Sequence, residues 1–146
     1  SIVSVPFGFE DDSMCFACGK QNPDGLHMEF EFIGGEVRSS VCFPRKFQGY
    51  SDVVHGGLVS TVLDEAMITL LNEQGYLAVT AELSVRFVRP VRVEERIDIV
   101  ARLKEKRGKT FRLEARATDA EGTEVARASS RCFLIGTLPD ARVSNP

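Results

Sequence analysis

Several features that would identify a chain at once are missing from this one. No apolar run approaches the roughly 18 residues that a membrane-spanning helix needs. The opening SIVSVPFGFEDDSM has no basic stretch followed by an apolar block, so no secretory leader is expected. Basic excess is absent too. Against 18 Lys and Arg stand 21 Asp and Glu, a net charge of -3, which leaves no electrostatic footprint for nucleic acid or an anionic membrane. There is no Gly-rich phosphate loop of the Walker or Rossmann kind. Of four cysteines only Cys15 and Cys18 form a close pair. Without a second pair a four-ligand zinc site is not expected, and the thiols, with Cys42 and Cys132 in strand-like runs, read as reduced side chains without a chemical role. The expectation is a soluble cytoplasmic protein with no resident metal or cofactor, and with neither nucleic acid nor membrane as partner.

What is present fits one globular domain spanning 1–146: 146 residues, 43% apolar and 27% charged. Residues 1–25 read as a lead-in loop. Leu26, Met28, Phe30 and Phe32 then alternate with polar residues, as a strand with one apolar face does. Gly34-Gly35 is a two-residue hairpin signal, and Val37, Val41 and Phe43 continue on a second strand. Apolar spacing predicts one long helix from Gly56 to Glu73, closed at Gly75. Four strand-like runs follow, at Leu77–Val88, Arg96–Lys106, Thr110–Thr118 and Glu124–Ile135, with turn residues at 107–109 and 119–122. The tail 136–146 is polar and reads as loose. Short connections favour antiparallel pairing. One helix cannot cover both faces of a sheet, so the sheet should curl around it and leave its other face to water or a partner.

Within the helix, 100° steps gather Leu58, Val59, Val62, Leu63, Ala66, Met67 and Leu70 into one apolar arc. Glu65 falls with Thr61, Thr69 and Asn72 on the opposite, solvated side. Asp64 lies between Ser60 and Thr61 on one flank and Ile68 and Leu71 on the other, as an acid in a partly desolvated cleft would. The helix is entered through His55-Gly56-Gly57. A helix start exposes backbone N–H groups with no internal partner and carries partial positive charge. Glycine there lets a ligand approach the backbone, which suits an anion or a developing oxyanion; the same glycines could equally serve a tight strand-to-helix turn. Gly56 and Asp64 are eight residues, about 12 Å of helix, apart. One carbonyl group cannot touch both within a chain. If they act together, the Gly56 of one subunit meets the Asp64 of another across a two-fold axis.

HGG followed by a helix with Asp nine positions past the histidine, then LSVRFVRPV, resembles the hotdog-fold acyl-CoA thioesterases, in particular the phenylacetate-pathway type. CFACGKQNPDGLHMEF is similar to a lead-in common in such proteins, and the resemblance runs from about Cys15 to Ile135. It implies an α+β fold, a curved antiparallel sheet of about six strands wrapped around one central helix, assembled as a homodimer or a dimer of dimers. It implies hydrolysis of an acyl-CoA thioester to carboxylate and free coenzyme A, with coenzyme A present as part of the substrate.

By the same resemblance Asp64 is the catalytic carboxylate, as base or nucleophile, and the Gly56 N–H polarises the thioester carbonyl. His55 orients the turn and the substrate, and Thr80 helps hold the attacking water. Gly57 joins the substrate site. Where several relatives carry an amide side chain, six residues before the histidine, this chain has Gly49, with Gln48 beside it as a substitute. Phe47, Tyr50 and Ile68 are candidates for the acyl pocket. Arg86, Arg89 and Arg92, or the 104–109 cluster, are candidates for the coenzyme A phosphates. Two other readings remain: a dehydratase or hydratase on the same fold, for which no second histidine lies near the acid, and a non-catalytic acyl-CoA binding module.

Overall fold

The computed structural model describes residues 9–138. Gly34 and Gly35 both take positive φ, 58° and 81°, a conformation that glycine enters without steric penalty. They form the tight turn between β1 (Glu31–Ile33) and β2 (Glu36–Cys42), with Ile33 opposite Glu36. A 3-10 turn at Arg45–Phe47 leads to α1 (Gly56–Glu73), and then come β3 (Tyr76–Phe87), β4 (Arg96–Arg107), β5 (Thr110–Thr118) and β6 (Glu124–Thr137). All pairings are antiparallel, in one sheet of order β1-β2-β4-β5-β6-β3. One helix packed in the curve of this sheet is the hotdog arrangement.

The apolar arc of α1 explains the packing. Val59, Val62, Leu63, Ala66, Met67 and Leu70 are buried, joined by Leu71, and meet Val37, Ile97, Ile99, Phe111, Leu113 and Ala117 from the inner sheet face. Leu58, at the first turn, is only partly buried. At this burial each large side chain contributes about 1.5–3 kcal/mol. The outer face is charged: Arg102 pairs with Glu114, Arg116 with Glu124 and Arg131 with Glu82 across neighbouring strands. Such exposed pairs add little stability.

Two expectations are corrected at the ends of the sheet. The strand read from Leu26 pairs with β2 only from Glu31. The Leu26 and Met28 amides instead donate to the Phe16 and Ala17 carbonyls at 2.8 and 2.9 Å, so the alternation reflects docking against the lead-in. His27 has φ 52°, which breaks the extended run, and Phe32 and Ile33 are exposed. The segment from Gly136 is not wholly loose, because β6 reaches Thr137 and the Leu138 N–H donates to the Gly75 carbonyl at 3.0 Å. Residues 139–146, like 1–8 of the lead-in, lie outside the described residues. Cys132 is buried, but Cys42 faces outward at the end of β2 and is exposed.

No helix among the described residues is long and apolar enough to cross a membrane.

Candidate active site

The start of α1 is built by its own histidine. His55 is the N-cap, and its Nδ1 accepts the Gly57 N–H at 3.0 Å. A ring nitrogen that accepts carries no proton, so in the neutral ring Nε2 bears it. The Leu58 and Val59 amides both turn to the His55 carbonyl, at 2.9 and 3.3 Å. The Gly56 N–H is left without an acceptor among the described residues. Gly56 lines a cavity of about 680 Å³, with Gly49 and Tyr50, Val53 to His55, Val59 and Phe87 to Val91 as the other walls. A donor without an acceptor at the positive end of a helix, on a residue that lines a largely apolar cavity, is suited to a carbonyl oxygen that gains charge.

The two glycines differ in what they permit. A Cβ at Gly57 would stand 3.2 Å from Nδ1 and 3.4 Å from Cε1 of the capping His55 ring, tighter than ordinary contact. At Gly56 it would meet only the Phe87 ring, at an ordinary 3.5 Å. Gly57 makes room for the cap, while Gly56 keeps the cavity floor clear.

Asp64 lies two turns along α1 and is half-buried. Thr80 of β3 donates its hydroxyl to Asp64 Oδ1 at 2.7 Å, and this fixes the carboxylate. A register irregularity between Thr80 and Glu82 interrupts the β3–β6 ladder here, and such bulges re-aim side chains. Behind Thr80 sits Cys132, whose Sγ is 4.0 Å from Oγ1. Burial pushes the Cys132 thiol up from its ordinary value, against the opposing hydrogen bonds from Ser130 and Thr80, so it remains a neutral packing group.

Of the residues singled out from sequence, His55, Gly56, Tyr50 and Arg89 line the same cavity, and Asp64 and Thr80 meet each other about 12 Å of helix away. Gly57 sits under the cap. Gln48 is turned aside: its side-chain oxygen accepts the Asp52 N–H at 3.0 Å and holds Asp52 at φ 65°. Phe47 packs edge-on against Phe16, 6.4 Å between centroids, and Ile68 packs against the core. Arg86, Arg89 and Arg92 have no carboxylate partner among the described residues, whereas Lys104 and Arg107 are paired with Glu114 and Glu105.

Of the wall Phe87–Val91, sequence reasoning singled out Arg89 alone and missed the apolar residues around it. The signal for the wall was Pro90, which cannot continue a strand ladder and so turns the chain across the helix start. Glu65 is also corrected. Rather than standing in water, it is half-buried with Oε2 3.8 Å from Cys15 Sγ. Burial foremost, and then the adjacent Glu65, hold the Cys18 thiol well above its usual range. Asn72, from the same helix flank, has its Oδ1 buried without a partner.

The family model of the thioesterase superfamily matches residues 52–126, from the loop ahead of the helix to β6. The chain belongs to the thioesterase superfamily. No protein of curated function matches it. Among solved structures it is similar to the smu.793 protein of Streptococcus mutans, bound to acetyl CoA, at 22% identity over 77% of this chain and 91% of that one, with TM-score 0.72. It is similar to the PaaI protein of the Escherichia coli phenylacetic acid degradation operon at 18% identity, 77% and 83% coverage and TM-score 0.72. A third is a hypothetical thioesterase of Streptococcus pneumoniae with coenzyme A, at 19% identity, 77% and 88% coverage and TM-score 0.73. That protein has also been solved with one aspartate changed to alanine and, separately, one threonine changed to alanine. At these identities the likeness is one of fold.

Proposed function

We propose that the protein hydrolyses a small or medium acyl, or aryl-acyl, thioester of coenzyme A, in a site shared between two copies of the chain. The observation that carries this is the Gly56 N–H, without an acceptor among the described residues and on a residue that lines the cavity, at the start of a helix that also presents a Thr80-held Asp64. The thioester carbonyl oxygen would accept from Gly56. Asp64 would take a proton of the attacking water as its oxygen adds to the carbonyl carbon. Collapse of the tetrahedral oxyanion would break the C–S bond and expel the thiolate, which takes the proton from Asp64 to leave as free thiol and restore the carboxylate. Thr80 favours a base over a nucleophile, because a hydroxyl that donates to Oδ1 still has lone pairs to hold a water beside the carboxylate.

Two features support the shared site. Within one chain the two groups are too far apart for one carbonyl. The sheet also has unequal edges: β1 is three residues long, whereas β3 is twelve, with Leu83 and Phe87 exposed and the exposed Val88 just past its end. A long apolar edge is a template for another strand. Pairing of β3 with its copy would cover those residues and bring the helix start of one protomer toward the Asp64 of the other. Apolar Val53, Val59, Phe87 and Val91 suit the acyl group, and Arg89, which lines the same cavity and has no carboxylate partner among the described residues, suits a phosphate of the carrier. The aspartate and threonine altered in the Streptococcus pneumoniae protein lie sixteen residues apart, the same spacing as Asp64 and Thr80.

The test is a panel of acyl-CoA esters in which released thiol is followed with a thiol-reactive dye. Turnover of at least one ester, lost in Asp64→Ala, is expected. A chain that binds the esters but releases no thiol would be a binding module instead.

A further inference from the structure

The lead-in meets α1 at a place the proposed reaction does not use. We propose that Cys15, Cys18 and Glu65 form a divalent metal site of the zinc type, which fastens the lead-in to the helix. The two sulfur atoms and a Glu65 carboxylate oxygen lie within 4.8 Å of one another, and Cys15 Sγ is 3.8 Å from Glu65 Oε2. A tetrahedral ion with Zn–S near 2.3 Å and Zn–O near 2.1 Å spaces its ligand atoms about 3.5–4 Å apart, so the trio needs only a small contraction. The fourth coordination position would go to water, since all three residues are partly exposed.

The backbone is folded for such a site. In CFACGK the Cys18 N–H points at Cys15 Sγ, 3.5 Å away, where it would stabilise a thiolate. The Gly19 N–H closes the turn on the Cys15 carbonyl at 2.8 Å. A Cβ at Gly19 would fall 2.3 Å from the Cys15 nitrogen, so only glycine lets the chain wrap this closely. The cysteines are free. A disulfide between them would leave the Glu65 carboxylate aimed at sulfur with no role, whereas a cation uses all three groups. Thiolate ligands select zinc over magnesium or calcium.

The role that follows is positional. Phe16, between the two cysteines, packs at 84° on the Phe47 ring, and the Phe47 carbonyl accepts the His55 N–H at 3.0 Å. An ion at Cys15 and Cys18 would therefore steady, through Phe16, the loop that presents His55 and Gly56.

The full chain, kept reduced with a phosphine and free of chelator, would be titrated with zinc and, separately, with cobalt(II). The expected result is one equivalent bound per chain, with a thiolate-to-cobalt charge-transfer band and the intense visible bands of tetrahedral cobalt. Cys15→Ser with Cys18→Ser should lose both, and Cys42→Ser should keep them. Glu65→Gln should keep the charge-transfer band but bind at least about tenfold more weakly. Wild-type chain that binds neither ion, octahedral cobalt without charge transfer, or a Glu65→Gln variant that binds as tightly as wild type would each overturn the site. The wild-type spectrum and Glu65→Gln decide the matter even if the double serine variant does not fold.

Discussion

A methyl group at Gly57 would press on the His55 ring that caps α1, while one at Gly56 would reach only the Phe87 ring and the cavity. The two alanine variants should therefore part ways. Gly57→Ala weakens the cap and should lower stability by about 0.5–2 kcal/mol, read as a lower melting temperature. Gly56→Ala should melt no lower than wild type, since alanine is the better helix former by up to about 1 kcal/mol, yet it should lose turnover because its methyl occupies the carbonyl's approach. The Asp64–Thr80 pair gives a second test. Asp64→Asn keeps the shape and the threonine contact while removing the base, so its rate should fall on the order of hundred-fold or more, with an unchanged circular dichroism spectrum. In a single turnover in heavy-oxygen water, a base mechanism labels the product acid in the first cycle. Unlabelled acid from that cycle would make Asp64 the nucleophile.

In the proposed site β3 would carry two tasks, its free edge for pairing and one residue, Thr80, for the acid. Leu83→Lys places charge on the exposed edge away from the cavity. Gel filtration should then show a monomer, and turnover should disappear with the dimer; a fully active monomer would refute the shared site. The elements themselves were legible wherever local signals agreed. The 3.6-residue spacing of apolar side chains marked α1 from Gly56 to Glu73, and turn residues bounded β5 at Thr110 and Thr118. β1 was misjudged because its alternation from Leu26 is answered by the carbonyls of Phe16 and Ala17, a tertiary contact that no local pattern encodes. The site was half legible for the same reason. Asp64 and Gly56 stood out by helix position and glycine and took their candidate roles from the family resemblance, and Arg89 was named for the phosphates. The apolar residues around Arg89 and the approach of Glu65 to Cys15 arise only when distant segments meet.

For the whole molecule the sharpest prediction concerns mixed dimers. Each proposed site takes Gly56 from one copy and Asp64 from the other, so a dimer of Asp64→Asn with Gly56→Val has one ruined site and one intact site. Two nearly inactive preparations, unfolded together and refolded, should recover about a quarter of wild-type activity, because half of the dimers are mixed and each has one working site. No recovery, with mixed dimers present, would place both groups in one chain. The unequal edges of the sheet carry a further consequence. If the chain pairs through β3 as proposed, then until a newly made copy finds its twin, twelve residues of β3 offer an unpaired edge beside Leu83 and Phe87 to whatever strand arrives first. Crowded synthesis thus becomes a race between the right neighbour and the wrong one, and a chain kept solitary should clump while its helix and sheet are still intact.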